Sequence, residues 1–196
     1  MPDRGVTGSW RRLHTDLCGI RFGANARLLP VAAEIGAAIP GMVAAAYYVL
    51  GPHSAVPPHT GICPNILRCH LGLICPPDCA LRIGSEVRSW REGEILVFDD
   101  TVEHEAWNRS AGPRVVFHLD FFHPPDQDPA ACSRQLRSLR EQWLASRPTQ
   151  QVWIRAGEPV LDADLAAGID RAAAAADPAE AETVRRLVRA YGLFFG

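Results

Sequence analysis

Lysine is absent from this chain: all 20 of its basic residues are arginine. That excludes catalysis through a lysine Schiff base and the phosphate-binding loop that depends on a lysine. Neither sign of charge is in excess. The formal net charge is −2, which leaves no basic surface of the kind that binds nucleic acid or anionic membranes. Long apolar runs are missing too. The most apolar stretch, residues 35–50, is interrupted by Pro40-Gly41 and is too short to span a bilayer. Met1-Pro2-Asp3-Arg4-Gly5 leads into no apolar segment of a secretory signal. A cytoplasmic location is the resulting expectation, and its reducing conditions would keep the six cysteines as thiols.

What is present suits a folded domain. With 196 residues, 47% hydrophobic and 21% charged, the chain can bury one core with some decoration. Sixteen glycines and sixteen prolines point to many short elements joined by loops, as in an all-β fold. Residues 1–40 read as a lead-in, with a helix over 24–39 that has Pro30 near its start and stops at Pro40-Gly41. Strands are expected near 43–50, 66–75, 80–83, 87–90, 94–98, 103–107 and 114–122. So many short strands in so little chain imply a sandwich or a jelly-roll barrel. Helices are expected over 130–146 and 162–193, broken near Asp177-Pro178. The domain reading is a β core over 1–125 and a helical extension of the same domain over 126–196. These helices would pack outside the barrel or form a homodimer contact. Cys75 and Cys79, near Cys63 and Cys69, lack the spacing of a zinc finger or ribbon, and Pro76-Pro77 between them reads as a hairpin loop.

Polar residues interrupt two of the most apolar strands. Alternation puts Ile66, Arg68, His70 and Gly72 on one face, at about 6.6 Å spacing, and Leu67, Cys69, Leu71 and Leu73 on the other. In the last strand Arg114, Val116, His118 and Asp120 share a face opposite Val115, Phe117, Leu119 and Phe121. A buried arginine needs an anion and a buried histidine needs a partner. Two inward arginines therefore suggest a site for a dicarboxylate. Arg82 reads as a third inward cation that steers anions. His59 lies in a Pro-flanked loop and His104 begins a strand after the turn Asp99-Asp100-Thr101. Each has a plainer reading: His59 a surface histidine, Arg114 an ion pair with Glu103 or Asp120, Arg68 with His70 a buried structural pair, His118 a core histidine bonded to backbone. Asp99 and Asp100 read as turn formers, and Trp90 and Trp107 as barrel-wall residues.

Several segments in order resemble the aspartyl/asparaginyl β-hydroxylase family. They are Val56-Pro57-Pro58-His59-Thr60-Gly61, Leu67-Arg68-Cys69-His70-Leu71-Gly72-Leu73, and Trp90-Arg91-Glu92-Gly93-Glu94-Ile95-Leu96-Val97-Phe98-Asp99-Asp100. Glu103-His104-Glu105-Ala106-Trp107, Arg114 and Asp120-Phe121-Phe122-His123-Pro124 follow. The likeness runs over 47–124. It implies a double-stranded β-helix, cupin-like barrel that uses Fe(II), 2-oxoglutarate and O₂ to hydroxylate an unactivated C–H bond, releasing succinate and CO₂. His59 and His104 resemble the two iron ligands. Gly61 stands where related dioxygenases place a carboxylate ligand, which this family also lacks. Arg114 resembles the residue that binds the distal carboxylate of 2-oxoglutarate, with Tyr48 in place of a helping serine. Arg68 and His70 resemble the pair at the cosubstrate's metal-bound end. Ile66 replaces an arginine that grips a substrate aspartate, and isoleucine cannot pair with a carboxylate. His118 and Arg82 are further candidates for substrate contact.

The expected substrate is therefore a small molecule, an amino acid or a peptide-like compound, with no nucleic acid or membrane partner. Two alternatives belong to other classes of activity. A glycine at 61 can make room for chloride, as in a 2-oxoglutarate-dependent halogenase. A barrel that binds a metal or a small acid without turnover is the other.

Overall fold

The computed structural model describes residues 6–61, 63–123 and 128–146. In chain order its elements are β1 (Trp10–Leu17), β2 (Ile20–Arg21), α1 (Gly23–Leu28), α2 (Pro30–Ala38), β3 (Met42–Leu50), β4 (Ser54–His59) and β5 (Ile66–Ile74). These are followed by β6 (Cys79–Ile83), β7 (Glu86–Arg88), β8 (Ile95–Asp99), β9 (His104–Asn108), β10 (Arg114–Phe122) and α3 (Pro129–Ser146). One sheet has the order β2-β1-β3-β10-β5-β8 and the other β4-β9-β6-β7. From β3 to β10 the chain crosses between the sheets at every connection except the β6–β7 hairpin. This antiparallel path is a double-stranded β-helix, the jelly-roll barrel expected.

Both faces of the large sheet are used. Outward residues Leu13, Tyr47, Val49, Val115, Phe117 and Leu119 pack with Leu29 and Ala32 of the α1–α2 layer. Hence β3 and β10 are buried on both sides, which is why they read as almost unbroken apolar runs. The inward face meets the small sheet through Leu81, Trp90, Phe98 and Val116. At one end of the barrel α3 lays Cys132 against Val43, Ile66 and Phe122, with Leu136 and Leu139 beside them. Among the described residues no helix is long and apolar enough to cross a membrane.

Three expectations are corrected. The lead-in contains a strand, β1, which adds to the edge of the large sheet beside β3. Its mixture of arginines with Trp10, Leu13 and Leu17 hides the period-2 signal, because the face turned to the barrel interior is itself polar. The loop expected around His59 is strand β4 instead. Its Pro57 and Pro58 are tolerated because β4 lies at a sheet edge. The expected helix over 24–39 is divided at Leu29, which has φ −123° and ψ 60°. Pro30 drives that break, since a proline disfavours the α region for the residue before it, while the proline itself suits the first turn of α2. The expected helix over 162–193, with its break at Asp177-Pro178, lies outside the described residues.

Asn108 ties the end of β3 to the β9–β10 connection. Its Nδ2 donates to the carbonyls of Leu50, Gly51 and Gly112 at 3.0, 2.8 and 2.8 Å, and Oδ1 accepts from the Ser110 amide at 3.0 Å. Asn108→Ala removes these bonds and strands buried carbonyls, so it should cost about 2–4 kcal/mol. Urea denaturation followed by tryptophan fluorescence checks this; a loss below about 0.5 kcal/mol, the size of an ordinary surface substitution, would overturn it.

Candidate active site

Cross-strand register arranges the inner face of the large sheet in rows. Arg12, Tyr48 and Val116 form one, His14, Ala46, His118 and His70 the next, and Ala44, Asp120, Arg68 and Phe98 a third. These rows face a cavity of about 130 Å³ whose other wall includes Val56, Leu81, His59 and His104.

His59 and His104 are directly opposed across β4 and β9. Their ring centroids are 4.1 Å apart. Nδ1 of His59 lies 2.8 Å from the Pro57 carbonyl, and Nδ1 of His104 lies 2.8 Å from the Val102 carbonyl. A carbonyl only accepts, so each Nδ1 carries the proton and each Nε2 the lone pair. Backbone carbonyls of this kind fix a metal-binding histidine in its tautomer and orientation. His104 Nε2 is also 3.3 Å from Asp100 Oδ1. Among the described residues no group of three or more His, Cys, Asp or Glu is arranged to hold a metal by itself. The fit to a metal thus rests on two imidazole lone pairs beside one carboxylate.

Asp99 and Asp100 were expected to form a turn, and both do: Asp99 Oδ1 accepts from the amide and hydroxyl of Thr101 at 2.8 and 2.7 Å, and Asp100 is the next residue of the same turn. Asp100 is buried and turned inward. The signal was present in β8: Leu96 and Phe98 face the interior and Ile95 and Val97 the solvent, so alternation carries the next inward position to 100. The Asp100 carboxylate fills the space beside Gly61, where any side chain at 61 would collide with it.

A hydrogen-bonded chain crosses the cavity wall. The Trp90 indole N–H donates to His70 Nδ1 at 3.4 Å, and His70 Nε2 lies 3.1 Å from His118 Nδ1. Indole is donor-only, so His70 carries its proton on Nε2 and donates to His118. His118 then carries its proton on Nε2, 3.2 Å from Asp120 Oδ2. Arg68 donates to both Asp120 oxygens at 2.8 and 2.9 Å and also to Asp100. Burial alone would raise the Asp120 carboxyl, but Arg68 and His118 hold it well below the usual carboxylate range. His70 and Arg68 therefore line the cavity with much of their bonding capacity already used: both His70 nitrogens, and three of the five Arg68 donors.

Arg114 differs. It is only 2% exposed, and neither Nε nor Nη1 has a partner among the described residues. Its Cζ lies 4.4 Å over the Trp90 ring. Burial pushes its pKa down to about 10, still far above neutrality, so the charge persists. A buried guanidinium with unmatched donors fits a carboxylate ligand. Tyr48 lines the same cavity, stacked on His118 at 3.9 Å.

Other candidates sit elsewhere. Arg82 is not inward: Leu81 takes the cavity side of β6, and Arg82 bonds Glu105, Glu103 and the Gly84 carbonyl on the outer face. Ile66 is buried under Cys132 at the α3 end rather than in the cavity wall. Trp90 is interior, but Trp107 is half-buried and lies under Arg109, not in the barrel core. None of the six cysteines, all of them among the described residues, forms a disulfide, and Cys75 and Cys79 flank the β5–β6 connection. Trp10, Arg12 and His14 of β1 were missed altogether and line the cavity.

Burial depresses the pKa of both His70 and His118, with other nearby positive groups adding to the effect at His70 and Asp120 opposing it at His118. The unfolded chain therefore binds more protons than the folded one below the usual imidazole value near 6.5. Stability is full above that pH and falls as acid is added, by up to about 1.4 kcal/mol per pH unit for each such histidine. Urea midpoints at about pH 7.5 and pH 5.5 should differ in that direction. Asp120→Ala should cost roughly 3–5 kcal/mol at neutral pH, as it leaves Arg68 short of its buried partner. A loss within ordinary surface values would contradict that pairing.

The sequence model of the aspartyl/asparaginyl β-hydroxylase family matches residues 2–124. An ornithine lipid ester-linked acyl 2-hydroxylase from Rhizobium tropici is 38% identical over 109 residues, covering 54% of this chain and 39% of that protein. The human aspartyl/asparaginyl β-hydroxylase is 42% identical over 79 residues, covering 40% of this chain and 10% of that protein. The chain thus spans less than half the length of either relative. A solved structure described as a predicted oxalate decarboxylase, from Thermotoga maritima, has a TM-score of 0.42 at 13% identity, over 61% of this chain and 85% of that one. Since the match runs through the whole barrel and includes both opposed histidines, the chain belongs to the aspartyl/asparaginyl β-hydroxylase family.

Proposed function

We propose that this chain is an Fe(II)- and 2-oxoglutarate-dependent hydroxylase of a small molecule, amino acid or peptide-like compound. One observation carries the reading: a single cavity holds two opposed imidazoles with anchored Nδ1 atoms and a buried guanidinium without a counter-charge among the described residues. When bound, ferrous iron and 2-oxoglutarate supply the O₂-dependent chemistry that hydroxylates a C–H bond and releases succinate and CO₂. His59 and His104 would hold the metal through Nε2, and neutral imidazoles suit iron of this charge. Arg114 would bind the distal carboxylate, with Tyr48 lining the approach. Asp100, beside His104, supplies negative charge next to a site that has no carboxylate at position 61. Phe98, Val56 and Leu81 keep the cavity apolar around these groups and exclude water.

The halogenase alternative and the family's aspartyl contact both lose ground. The space at Gly61 that would suit chloride is filled by the Asp100 carboxylate, and one anion disfavours another. Ile66 offers no charge to a substrate aspartate and is covered by α3, so hydroxylation of an aspartyl side chain through that contact has no support here. The relatives include both an acyl 2-hydroxylase and an aspartyl/asparaginyl hydroxylase, so acyl compounds belong among the substrates to try.

Succinate release over amino acids, short peptides and acyl compounds, with an anaerobic control, tests the activity; no succinate with any of them would count against it. His59→Ala or His104→Ala should lose most Fe(II) affinity, and unchanged affinity in either would refute the metal assignment. Arg114→Met makes a sharper test. Removing a buried, unmatched charge should leave the unliganded protein as stable as before, or more stable by about 1–4 kcal/mol. The same change should abolish the rise in melting temperature that 2-oxoglutarate gives the parent protein. If the rise persists, Arg114 is structural.

A further inference from the structure

Two inward arginines were expected to be Arg68 and Arg114, but Arg68 is neutralised by Asp120 and Asp100. The second cavity arginine without a carboxylate partner among the described residues is Arg12, on β1. Its surroundings form a built recess. The Arg12 Cζ lies 4.7 Å over the Trp10 ring, and Tyr48 is its cross-strand neighbour. Tyr48 is gripped by the face of His118 at 3.9 Å and stands edge-on to Trp10 and His14 at 5.8 and 6.1 Å. His14 follows Arg12 on the same face, and its Nδ1 is buried without a hydrogen-bond partner among the described residues. Burial and the Arg12 charge press the His14 pKa down to about 3, so near neutral pH it is an uncharged donor and acceptor.

Position separates this recess from Arg114. β3 lies between β1 and β10, so the two arginines rise from strands about 10 Å apart. Arg114 is sealed in the barrel, whereas Arg12 is half-buried and keeps access to solvent. A cosubstrate carboxylate taken up by Arg114 therefore leaves Arg12 available to a second ligand.

We infer that Arg12, flanked by Trp10, Tyr48 and His14, is a separate anion subsite that receives a carboxylate of the substrate. This rests on the hydroxylase reading above and narrows its substrate to an acid. Arg12 supplies the charge-assisted hydrogen bonds, and the indole keeps its guanidinium flat. Ile66 contributes no charge at the α3 end, so charge recognition moves to the β1 side of the barrel.

The probes are hexanoate and hexanamide, matched in shape and differing in charge. Calorimetry is run without oxygen on the full chain with Fe(II) and saturating 2-oxoglutarate. Hexanoate should bind roughly tenfold more tightly than hexanamide. Arg12→Gln should erase that preference, Arg12→Lys should retain part of it, and 2-oxoglutarate affinity should stay within about twofold in both. Equal binding of the two probes to the parent protein overturns the subsite, as does a preference that survives Arg12→Gln. A loss of 2-oxoglutarate affinity in Arg12→Gln also overturns it, by making Arg12 part of the cosubstrate site. If the parent protein does not bind 2-oxoglutarate at all, the hydroxylase reading falls, and the acid–amide comparison without it still decides the role of Arg12.

Discussion

Arg68 carries the constraint on which the interior depends. The inner face of the large sheet holds arginine, histidine and aspartate where a barrel would ordinarily hold aliphatic side chains. Such a face is stable only when charge is matched locally, because desolvating an unpaired ion costs several kcal/mol. Arg68 matches it by donating to Asp120 on the neighbouring strand and to Asp100 beyond the end of β8. The same bonds hold a carboxylate beside His104 and, through Asp120, anchor the chain that runs to His118, His70 and Trp90.

With that charge satisfied, the guanidinium of Arg114 stands out. Its Nε and Nη1 are buried without a partner among the described residues, a cost that folding alone does not explain. That cost is the support for the proposed carboxylate site, since a carboxylate ligand would supply what the fold withholds. Stability and function therefore oppose each other at Arg114, while at Arg68 they coincide.

The α1–α2 layer and the apolar outer face of the large sheet make this polar interior affordable. Val49, Val115, Phe117 and Leu119 pack outward against that layer, so the sheet does not rely on its inner face for burial. The interior is then free to carry chemistry, and β1 extends it by bringing Trp10, Arg12 and His14 to the cavity edge. Asn108 ties the end of β3 to the β9–β10 connection without any charge.

Alternation along β5 and β10 was enough to assign their inner and outer faces from residue order alone, because side chains in a strand repeat every two positions. The barrel class and the candidate histidines were legible for the same local reason, helped by ordered motifs. Pairing was not legible. Whether Arg68 meets a ligand or Asp120, and whether His70 meets a cosubstrate or His118, depends on register between strands 48 and more residues apart. Arg82 reads inward until its neighbour Leu81 is seen to occupy the cavity side. Asp100 reads as a turn residue and is one, but only the fold shows its carboxylate buried between Arg68 and His104, and β1 reads as a lead-in because the face it buries is polar. Local order selects which face a side chain takes; only the folded neighbours decide whether its charge is already answered.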